Sequence, residues 1–423
     1  MVKRLSVAVL VAAASTVFVT GVAASPAYAG PAGGTVEVGI DGNLDFDGAP
    51  GFANDVTVVK TGTTVTVDDV YPITIIGMCT YPVPADDTYV QCNVGVASPD
   101  VTIEPGDQGD TATIVGGGSV NWRIGLGDGA DTADLTGIDV GGSYVVAGMG
   151  ADTVFSSPYG EHIEGGTGTD TISYALHATA VTVNLATGDG GTGAEHDDLE
   201  EFERVVGSPY GDTLTGGTGA DTLEGNAGAD TVNGAGGNDT LVGDWGTDQL
   251  TGGTGSDTAS YRNHKAAVTA SLDGVANDGA AGENDMIAVD VENLTGGLGA
   301  DTLYGNTGAN ALRGDPSGNW LPQVGGDDVI YSFGGGDGIW GMGGDDTVYG
   351  SWGHDVVYGG YGNDALNGGA HEDALHGDQG SDTLHGGDGY DDLDGGTQSD
   401  WCYGDALGAS KVNCEYPLVI VLP

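Results

Sequence analysis

Apolar and polar residues alternate along the first part of the chain. Between residues 55 and 70, Val alternates with Thr and other polar residues around the turn sequence Thr61-Gly62-Thr63. This pattern predicts two strands joined by a turn. The segments YPITIIGMC (71–79) and TYVQCNVGV (88–96) predict two more strands. We therefore expect a small β-sandwich-like domain over residues 30–120.

A different pattern, with a period of nine residues, begins at about residue 121. Six gapless units cover 207–260, nine cover 323–403, and two more occupy 296–313. The eighth position is apolar throughout the two long arrays, and the sixth is Asp in every unit but one, where Asn310 stands. The sixth-position acids are Asp212, Asp221, Asp230, Asp239, Asp248, Asp257, Asp301, Asp328, Asp337, Asp346, Asp355, Asp364, Asp373, Asp382, Asp391 and Asp400.

Each unit has the form GGxGxDxUx, where U is a large apolar residue. Three residues centred on U suffice for one short strand with U facing inward. The other six must reverse the chain, and Gly supplies the positive φ angles that tight turns need. Eighteen residues then complete one coil with two strands, and stacked coils give two parallel sheets. The sequence therefore predicts a parallel β-roll.

Stacking the coils also places the Asp residues in rows, about 4.8 Å apart. Unpaired carboxylates at that spacing repel one another and raise their own pKa values. A divalent cation removes this cost, and carboxylate and carbonyl oxygens suit Ca²⁺ better than Mg²⁺, which requires strict octahedral geometry. The alternative is that Asp only forms good turns on a solvated face. That alternative does not explain Asp at one fixed position between variable neighbours.

The overall charge supports a cationic ligand and excludes other partners. The 423 residues include 82 Gly and 62 Asp or Glu but only 9 Lys or Arg, so the formal net charge is −53. A nucleic-acid-binding protein needs a basic face, and anionic membranes would repel such a chain. The partners that this charge favours are cations.

The first 29 residues predict a secretory signal peptide. Lys3 and Arg4 precede a long apolar run, and Ala27-Tyr28-Ala29 matches the small-x-small pattern of a cleavage site. An uncleaved anchor helix is the alternative, but Gly21 and Pro26 interrupt the run. We expect cleavage after Ala29, a secreted, extracellular protein, and no transmembrane segment in the mature chain.

Export favours disulfide bonds between the four cysteines. Cys79 and Cys92 lie 13 residues apart, and Cys402 and Cys414 lie 12 apart. Three connectivities are possible, of which local pairing within each couple is the simplest. A zinc site is disfavoured because no Cys or His pair has the spacing of zinc ligands.

The two arrays resemble the haemolysin-type, or RTX (repeats-in-toxin), calcium-binding family of secreted bacterial proteins. The resemblance implies a right-handed parallel β-roll in which Ca²⁺ lies between turns of successive coils. It also implies that the sixteen sixth-position Asp residues, with turn carbonyls, are the metal ligands. Tyr210, His371 and Gln398 replace the fourth-position Gly. Sites beside these positions and beside Asn310 are expected to be weaker or absent.

The pattern divides the chain into seven segments. Two of them, 121–206 and 261–295, contain spacers typical of this family, which we interpret as wide coils rather than linkers. The last resembles a disulfide-bonded cap on the open end of the roll. The segments are a signal peptide (1–29), a small β domain with one disulfide (30–120), irregular repeats with the first spacer (121–206), the first array (207–260), the second spacer (261–295), the second array (296–403) and the cap (404–423).

No catalytic motif emerges from the sequence. The chain has no GxSxG elbow and no phosphate-binding GxxxxGK[ST] loop, and the histidines of HEDALH (371–376) are five apart rather than four. We expect no enzyme but a calcium-binding protein with a structural or surface-interaction role, whose further partner is an extracellular protein or a cell-surface glycan. The alternative is a secreted hydrolase or polysaccharide-modifying enzyme with an unrecognised active site.

Overall fold

The computed structural model describes residues 34–39, 42–83, 86–95, 99–116, 120–139, 141–193, 195–316, 325–404 and 409–415. The predicted signal peptide lies outside the described residues. The chain divides into two compact units, Met1–Pro209 and Tyr210–Pro423. The described residues of both units form strands and turns with no helix, which confirms the all-β class. Accordingly, nothing in the described ranges is a helix with the length and apolar character needed to cross a membrane.

The described part of the first unit contains nineteen strands. They are β1 (Gly34–Val38), β2 (Leu44–Gly48), β3 (Asp55–Thr61), β4 (Thr64–Asp68), β5 (Ile73–Ile76), β6 (Cys79–Thr80), β7 (Tyr89–Asn93), β8 (Asp100–Glu104), β9 (Thr111–Gly116), β10 (Asn121–Gly129), β11 (Thr132–Ile138), β12 (Tyr144–Gly150), β13 (Thr153–Phe155), β14 (His162–Gly168), β15 (Thr171–Ser173), β16 (Thr182–Asn184), β17 (Asp189–Gly190), β18 (Asp197–Glu200) and β19 (Arg204–Val206).

Two parallel sheets run through this unit. One contains β2, β8, β10, β12, β14 and β18 in that order, and the other contains β3, β9, β11, β13, β15 and β19. The antiparallel strands β4 and β7 extend the second sheet beside β3. Parallel coiling therefore starts at Leu44 and continues across residue 120, and the antiparallel strands belong to an insertion within the first coil.

The core of the first unit lies between these sheets. Side chains alternate along each strand, and β10 alone buries Trp122, Ile124 and Leu126. Phe46 on β2 is also fully buried. The alternation that predicted strands is thus the alternation between inward and outward side chains.

The second unit contributes twenty-four strands among its described residues. They are β20 (Thr213–Thr215), β21 (Thr222–Glu224), β22 (Ala227–Gly228), β23 (Thr231–Asn233), β24 (Thr240–Val242), β25 (Trp245–Gly246), β26 (Gln249–Thr251), β27 (Thr258–Ser260), β28 (Val268–Ser271), β29 (Gly279–Ala280), β30 (Met286–Ile287), β31 (Asn293–Thr295), β32 (Thr302–Tyr304), β33 (Ala311–Arg313), β34 (Val329–Tyr331), β35 (Gly338–Gly343), β36 (Thr347–Trp352), β37 (Val356–Tyr361), β38 (Ala365–Ala370), β39 (Ala374–Gln379), β40 (Thr383–Asp388), β41 (Asp391–Asp394), β42 (Trp401–Tyr403) and β43 (Ala409–Val412).

Strands of the nonapeptide arrays in the second unit pair in parallel with strands of the neighbouring coil. In the second array, β36, β38, β40 and β42 form one sheet, and β35, β37, β39 and β41 form the other. The register places Thr347 beside Ala365 and Val356 beside Ala374, a step of eighteen residues. The eighth-position residues, such as Leu366 and Leu375, are buried between the sheets. The predicted parallel β-roll with two strands per coil is confirmed.

In the units of residues 332–385, the turns use left-handed backbone conformations at the second and fourth positions of the repeat. In the unit 359–367 these are Gly360 (φ 109°) and Gly362 (φ 138°). Residues that replace Gly at these positions adopt the same conformation, as Met342 (φ 84°) and His371 (φ 94°) do. Left-handed φ costs a residue with a Cβ roughly 1–2 kcal/mol, which explains the preference for Gly.

Both spacers form coils within the sheets. In the first spacer, β16, β17 and β18 pair in antiparallel order next to β14, and β15 pairs directly with β19. In the second spacer, β26 pairs with β30 and β27 with β31. Each spacer therefore widens one coil without interrupting the parallel stack.

Disulfide bonds join the cysteines in the local pairing. Cys79 is bonded to Cys92 and joins β6 to β7. Cys402 on β42 is bonded to Cys414, which follows β43. The local connectivity predicted from spacing is confirmed.

Candidate metal centre

All sixteen predicted ligands are buried, and none is more than 4% exposed. Each lies at the point where a turn ends and a short strand begins. The side chains therefore face the inside of the turns, and the alternative of Asp residues on a solvated face does not describe the structure.

One oxygen of each carboxylate links neighbouring coils. The backbone N–H of Asp328 donates to Oδ1 of Asp346 (2.8 Å), and the N–H of Asp346 donates to Oδ1 of Asp364 (2.9 Å). The row continues through Asp382 to Asp400 at 2.8 and 2.9 Å. On the other side of the roll an equivalent row starts at the N–H of Asn310 and includes Asp337, Asp355, Asp373 and Asp391. Each step spans one coil.

The second oxygen of these carboxylates is buried and lacks a hydrogen-bond donor. This holds, among the described residues, for Oδ2 of eleven of the sixteen. A buried polar oxygen left without a partner is rare in folded proteins and costs roughly 1–3 kcal/mol. The eleven are Asp230, Asp239, Asp248, Asp257, Asp328, Asp346, Asp355, Asp364, Asp373, Asp382 and Asp400.

The first-position glycines create the space that these oxygens face. A Cβ added to Gly341 would lie 2.3 Å from Oδ2 of Asp346 and 2.6 Å from the carbonyl oxygen of Gly359, one coil further on. A carboxylate oxygen and a backbone carbonyl therefore converge beside a residue that can only be Gly. From the sequence, these glycines are expected because tight turns need them. The structure shows a second reason: a side chain at this position would collide with the carboxylate oxygen.

Burial makes the charged carboxylates costly without a counter-ion. Desolvation, with the charge of neighbouring acids as a smaller cause, raises the pKa of Asp328 to about 9 and that of Asp364 to about 8. The pKa of Asp230 in the first array is likewise raised to about 8, again chiefly by burial. The backbone hydrogen bond to each carboxylate opposes the shift without cancelling it. A cation beside Oδ2 would relieve this cost.

The donor set fits calcium. Anionic oxygens and backbone carbonyls are the hard ligands that Ca²⁺ takes in numbers of six to eight, and sulfur and imidazole ligands are not needed. The Oδ2 atoms of the sixth-position acids and carbonyls of the Gly-rich turns would hold the ion. Asn310 differs, because its amide nitrogen donates to the carbonyl of Glu292 (2.8 Å) and its side chain carries no charge.

The structure also places acids of the first unit in the same position, at three partial repeat matches (Asp131, Asp152 and Asp170) and at Asp110, which the sequence pattern did not identify. The N–H of Asp110 donates to Oδ1 of Asp131, and the row continues through Asp152 to Asp170 (2.6, 2.8 and 2.8 Å). All four are at most 1% exposed. Each is followed by Thr and an apolar residue, which is the part of the repeat pattern that could have identified Asp110.

A family model matches several segments of the chain. The model of the RTX calcium-binding nonapeptide repeat, which spans four copies of the repeat, matches residues 206–241, 226–259, 290–320, 349–384 and 376–406. No curated protein matches the chain. The matched segments contain thirteen of the sixteen predicted ligands, all except Asp328, Asp337 and Asp346. These segments of the chain therefore carry calcium-binding nonapeptide repeats of the RTX type, which indicate a calcium-binding protein.

Proposed function

We propose that the chain is a secreted protein whose repeats bind several Ca²⁺ ions and fold as they bind. The observation that carries the proposal is the set of eleven buried Oδ2 atoms without a hydrogen-bond donor. An apo roll would have to keep these oxygens buried and either charged or protonated. Bound calcium ions would provide these Oδ2 atoms with the positive partners that they lack.

The energetics favour coupled folding and binding. A net charge of −53 makes the unbound chain repel itself in a compact state. Ordering the backbone costs roughly 1–2 kcal/mol per residue, which one buried aliphatic side chain per nine-residue unit offsets poorly. Each ion bound only by the folded state adds about 2.7 kcal/mol when calcium exceeds Kd 100-fold. On the order of ten such sites would then decide the equilibrium between the unfolded and the folded chain.

Secretion is the setting that this mechanism requires. The signal-peptide pattern of residues 1–29 and the two disulfide bonds support an oxidising, extracellular compartment. The chain remains export-competent where free calcium is low and folds where calcium is abundant.

The outer faces of the roll support a structural or surface-interaction role. Tyr304, Tyr331 and Tyr349 stack with ring centroids 5.3 and 4.9 Å apart, and Tyr349 is exposed. A regular row of aromatic faces suits a repeating extracellular partner such as a glycan. The proposal assigns no catalytic step to the chain. Clearing of protein or polysaccharide substrates in a zymogram would contradict that part.

Circular dichroism of the mature chain (30–423), first in chelator and then with millimolar Ca²⁺, tests the proposal. We expect a weak β signal in chelator and a large gain in calcium, with no comparable gain in Mg²⁺. A complete β-sheet spectrum in chelator would overturn it.

A further inference from the structure

A separate group of acids lies in the first spacer of the first unit. Glu161, Glu195 and Asp197 are 3%, 8% and 0% exposed, and one carboxylate oxygen of each lies within 4.8 Å of the other two. Glu161 and Asp197 directly precede or begin the paired strands β14 and β18. Glu195 comes from the spacer itself. Three buried carboxylates thus meet where the wide coil joins the sheet.

Hydrogen bonds from the surrounding chain hold two of these carboxylates in place. Oδ1 of Asp197 accepts the backbone N–H of Glu161 (2.9 Å), as in the rows of the repeats. Its Oδ2 accepts the hydroxyl of the fully buried Tyr174 (2.7 Å). Oε2 of Glu195 accepts the N–H of Thr192 (3.2 Å). The acids are therefore preorganised toward one another.

Oε1 of Glu195 is the atom that this arrangement leaves without a donor. It is buried and accepts no hydrogen bond from the described residues, in a side chain that is 2% exposed. The nearby Ser156 hydroxyl has a single proton, and the carbonyl oxygen of Ser157 (3.0 Å), Oδ2 of Asp197 (3.1 Å) and Oε2 of Glu161 (3.5 Å) all lie within hydrogen-bonding distance of it.

The charges around the group do not balance. Nδ1 of His177 lies 3.5 Å from Oε2 of Glu195 and supplies at most one positive charge against three carboxylates. Burial, and then the charge of Asp197, raise the pKa of Glu161 to about 9 and that of Glu195 to about 7. Burying like charges at this spacing is costly unless a cation compensates them.

The second spacer repeats the same residue types in a different arrangement. Tyr261, His264, Glu283 and Asp285 follow one another as Tyr174, His177, Glu195 and Asp197 do in the first spacer. There, Nε2 of the histidine lies 3.2 Å from both carboxylate oxygens of Glu283, and the N–H of Ala280 also donates to Oε2 (2.6 Å). Both oxygens of Glu283 have partners, and within residues 195–316, all of which are described, no comparable group of three acids forms at this spacer. Glu283 in the second spacer therefore provides a matched comparison for Glu195 in the first.

We propose that Glu161, Glu195 and Asp197 bind one Ca²⁺ ion where the first spacer joins the sheet, in addition to the ions of the two nonapeptide arrays. Two ligands of one calcium ion, each at about 2.3–2.6 Å, can be at most about 5 Å apart, and the three carboxylates meet this limit. The all-oxygen donor set favours a hard divalent cation over zinc or copper. We expect no ion at the corresponding place in the second spacer, because both carboxylate oxygens of Glu283 already have hydrogen-bond partners.

The test compares Glu195→Gln with Glu283→Gln in the full mature chain, by equilibrium dialysis with ⁴⁵Ca²⁺ at saturating calcium. Gln preserves the shape and the acceptor for the backbone N–H but removes the charge. We expect Glu195→Gln to bind one ion fewer per chain than the wild type and Glu283→Gln to bind the same number. Equal stoichiometry of Glu195→Gln and wild type, or an equal loss in both variants, would overturn the proposal. The result is a difference between variants, so it is separate from whether the repeats fold on binding calcium.

A second measurement decides the question if Glu195→Gln does not fold. Crystals of the wild-type chain grown with Ca²⁺ and soaked with Tb³⁺ should show an anomalous peak between Glu161, Glu195 and Asp197. No peak is expected beside Glu283. Absence of the first peak in a crystal with occupied repeat sites would overturn the proposal.

Discussion

The early coils of the first unit and the second nonapeptide array have the same rows of buried aspartates but very different apolar cores. Strand β10 buries three large side chains, Trp122, Ile124 and Leu126. Strands β38 and β39 each bury one, Leu366 and Leu375. Hydrophobic stabilisation scales with buried apolar area at roughly 25 cal/mol per Å². The array therefore has less apolar burial for each carboxylate, and we expect it to depend more strongly on calcium.

Removing calcium should have the largest effect and should separate the two regions. In chelator, amide hydrogens of residues 325–403 should exchange as in an unfolded chain, since the array loses its counter-ions. Residues 100–138 should retain protection because of the larger core around β8 to β11. Hydrogen exchange with mass spectrometry measures both regions in one sample, and calcium restores the reference state. Equal loss of protection in both regions would contradict the comparison.

Acid should act in opposite directions with and without calcium. Without calcium, the folded-state pKa values of Asp328 (about 9) and Asp364 (about 8) exceed the unfolded value of about 3.9. The folded state then binds more protons, so its stability falls as pH rises from about 4 to 9. Lowering the pH from 9 to 5 in chelator should therefore increase β structure. In calcium the same change should release the ions and reduce it, because ligands must be ionised.

Circular dichroism at matched ionic strength provides both pH profiles. Profiles with the same sign in chelator and in calcium would show that the buried carboxylates do not control folding.

Single ligands should differ according to their position in the array. Asp355 has repeat coils on both sides, whereas Asp400 lies in the last unit beside Gln398, which has φ 87°. Asp355→Ala should raise the calcium midpoint of folding more than Asp400→Ala. Each lost ion removes about 2.7 kcal/mol at calcium 100-fold above Kd. Calcium titrations followed by tyrosine fluorescence compare the two.

The control for this experiment is Asp355→Asn. It retains an acceptor for the N–H of Asp337 but removes the charge. If Asp355→Asn behaves as the wild type, the carboxylate serves the hydrogen bond and not a cation.

The smallest predicted effect concerns the first-position glycines. Gly341→Ala would place a Cβ 2.3 Å from Oδ2 of Asp346, whereas Gly219→Ala meets no atom within 4 Å. Neither residue has a positive φ, so the contrast is steric. We expect Gly341→Ala to destabilise the calcium-bound chain by about 1–3 kcal/mol and Gly219→Ala by much less. Thermal denaturation in calcium measures the difference, and equal melting temperatures would contradict the geometry.

The sequence predicted those features that depend on local spacing. A period of nine with one apolar position suffices to define an eighteen-residue coil, and the structure confirms it. The pairing of the cysteines also depends on short spacing, and both local disulfide bonds are confirmed. The assignment of the sixteen aspartates as calcium ligands stays a prediction, supported by their burial.

Features that depend on contacts between distant coils could not be read from spacing. Asp110 was missed because the coil step from it to Asp131 is 21 residues rather than 18, and the coil before it contains a long insertion. The group in the first spacer combines Glu161 with Glu195, 34 residues later, and only the pairing of β14 with β18 brings them together. Side-chain burial, which decides the charge state of these acids, also follows from that pairing.

Isothermal titration of the mature chain with Ca²⁺, and in parallel with Mg²⁺, tests the central claim most directly. Folding driven by calcium predicts several ions per chain, a heat that depends strongly on temperature, and a negative heat-capacity change from burial of apolar surface. Mg²⁺ should produce little of this response. Calcium binding without a heat-capacity change, or an equal response to both ions, would contradict the account.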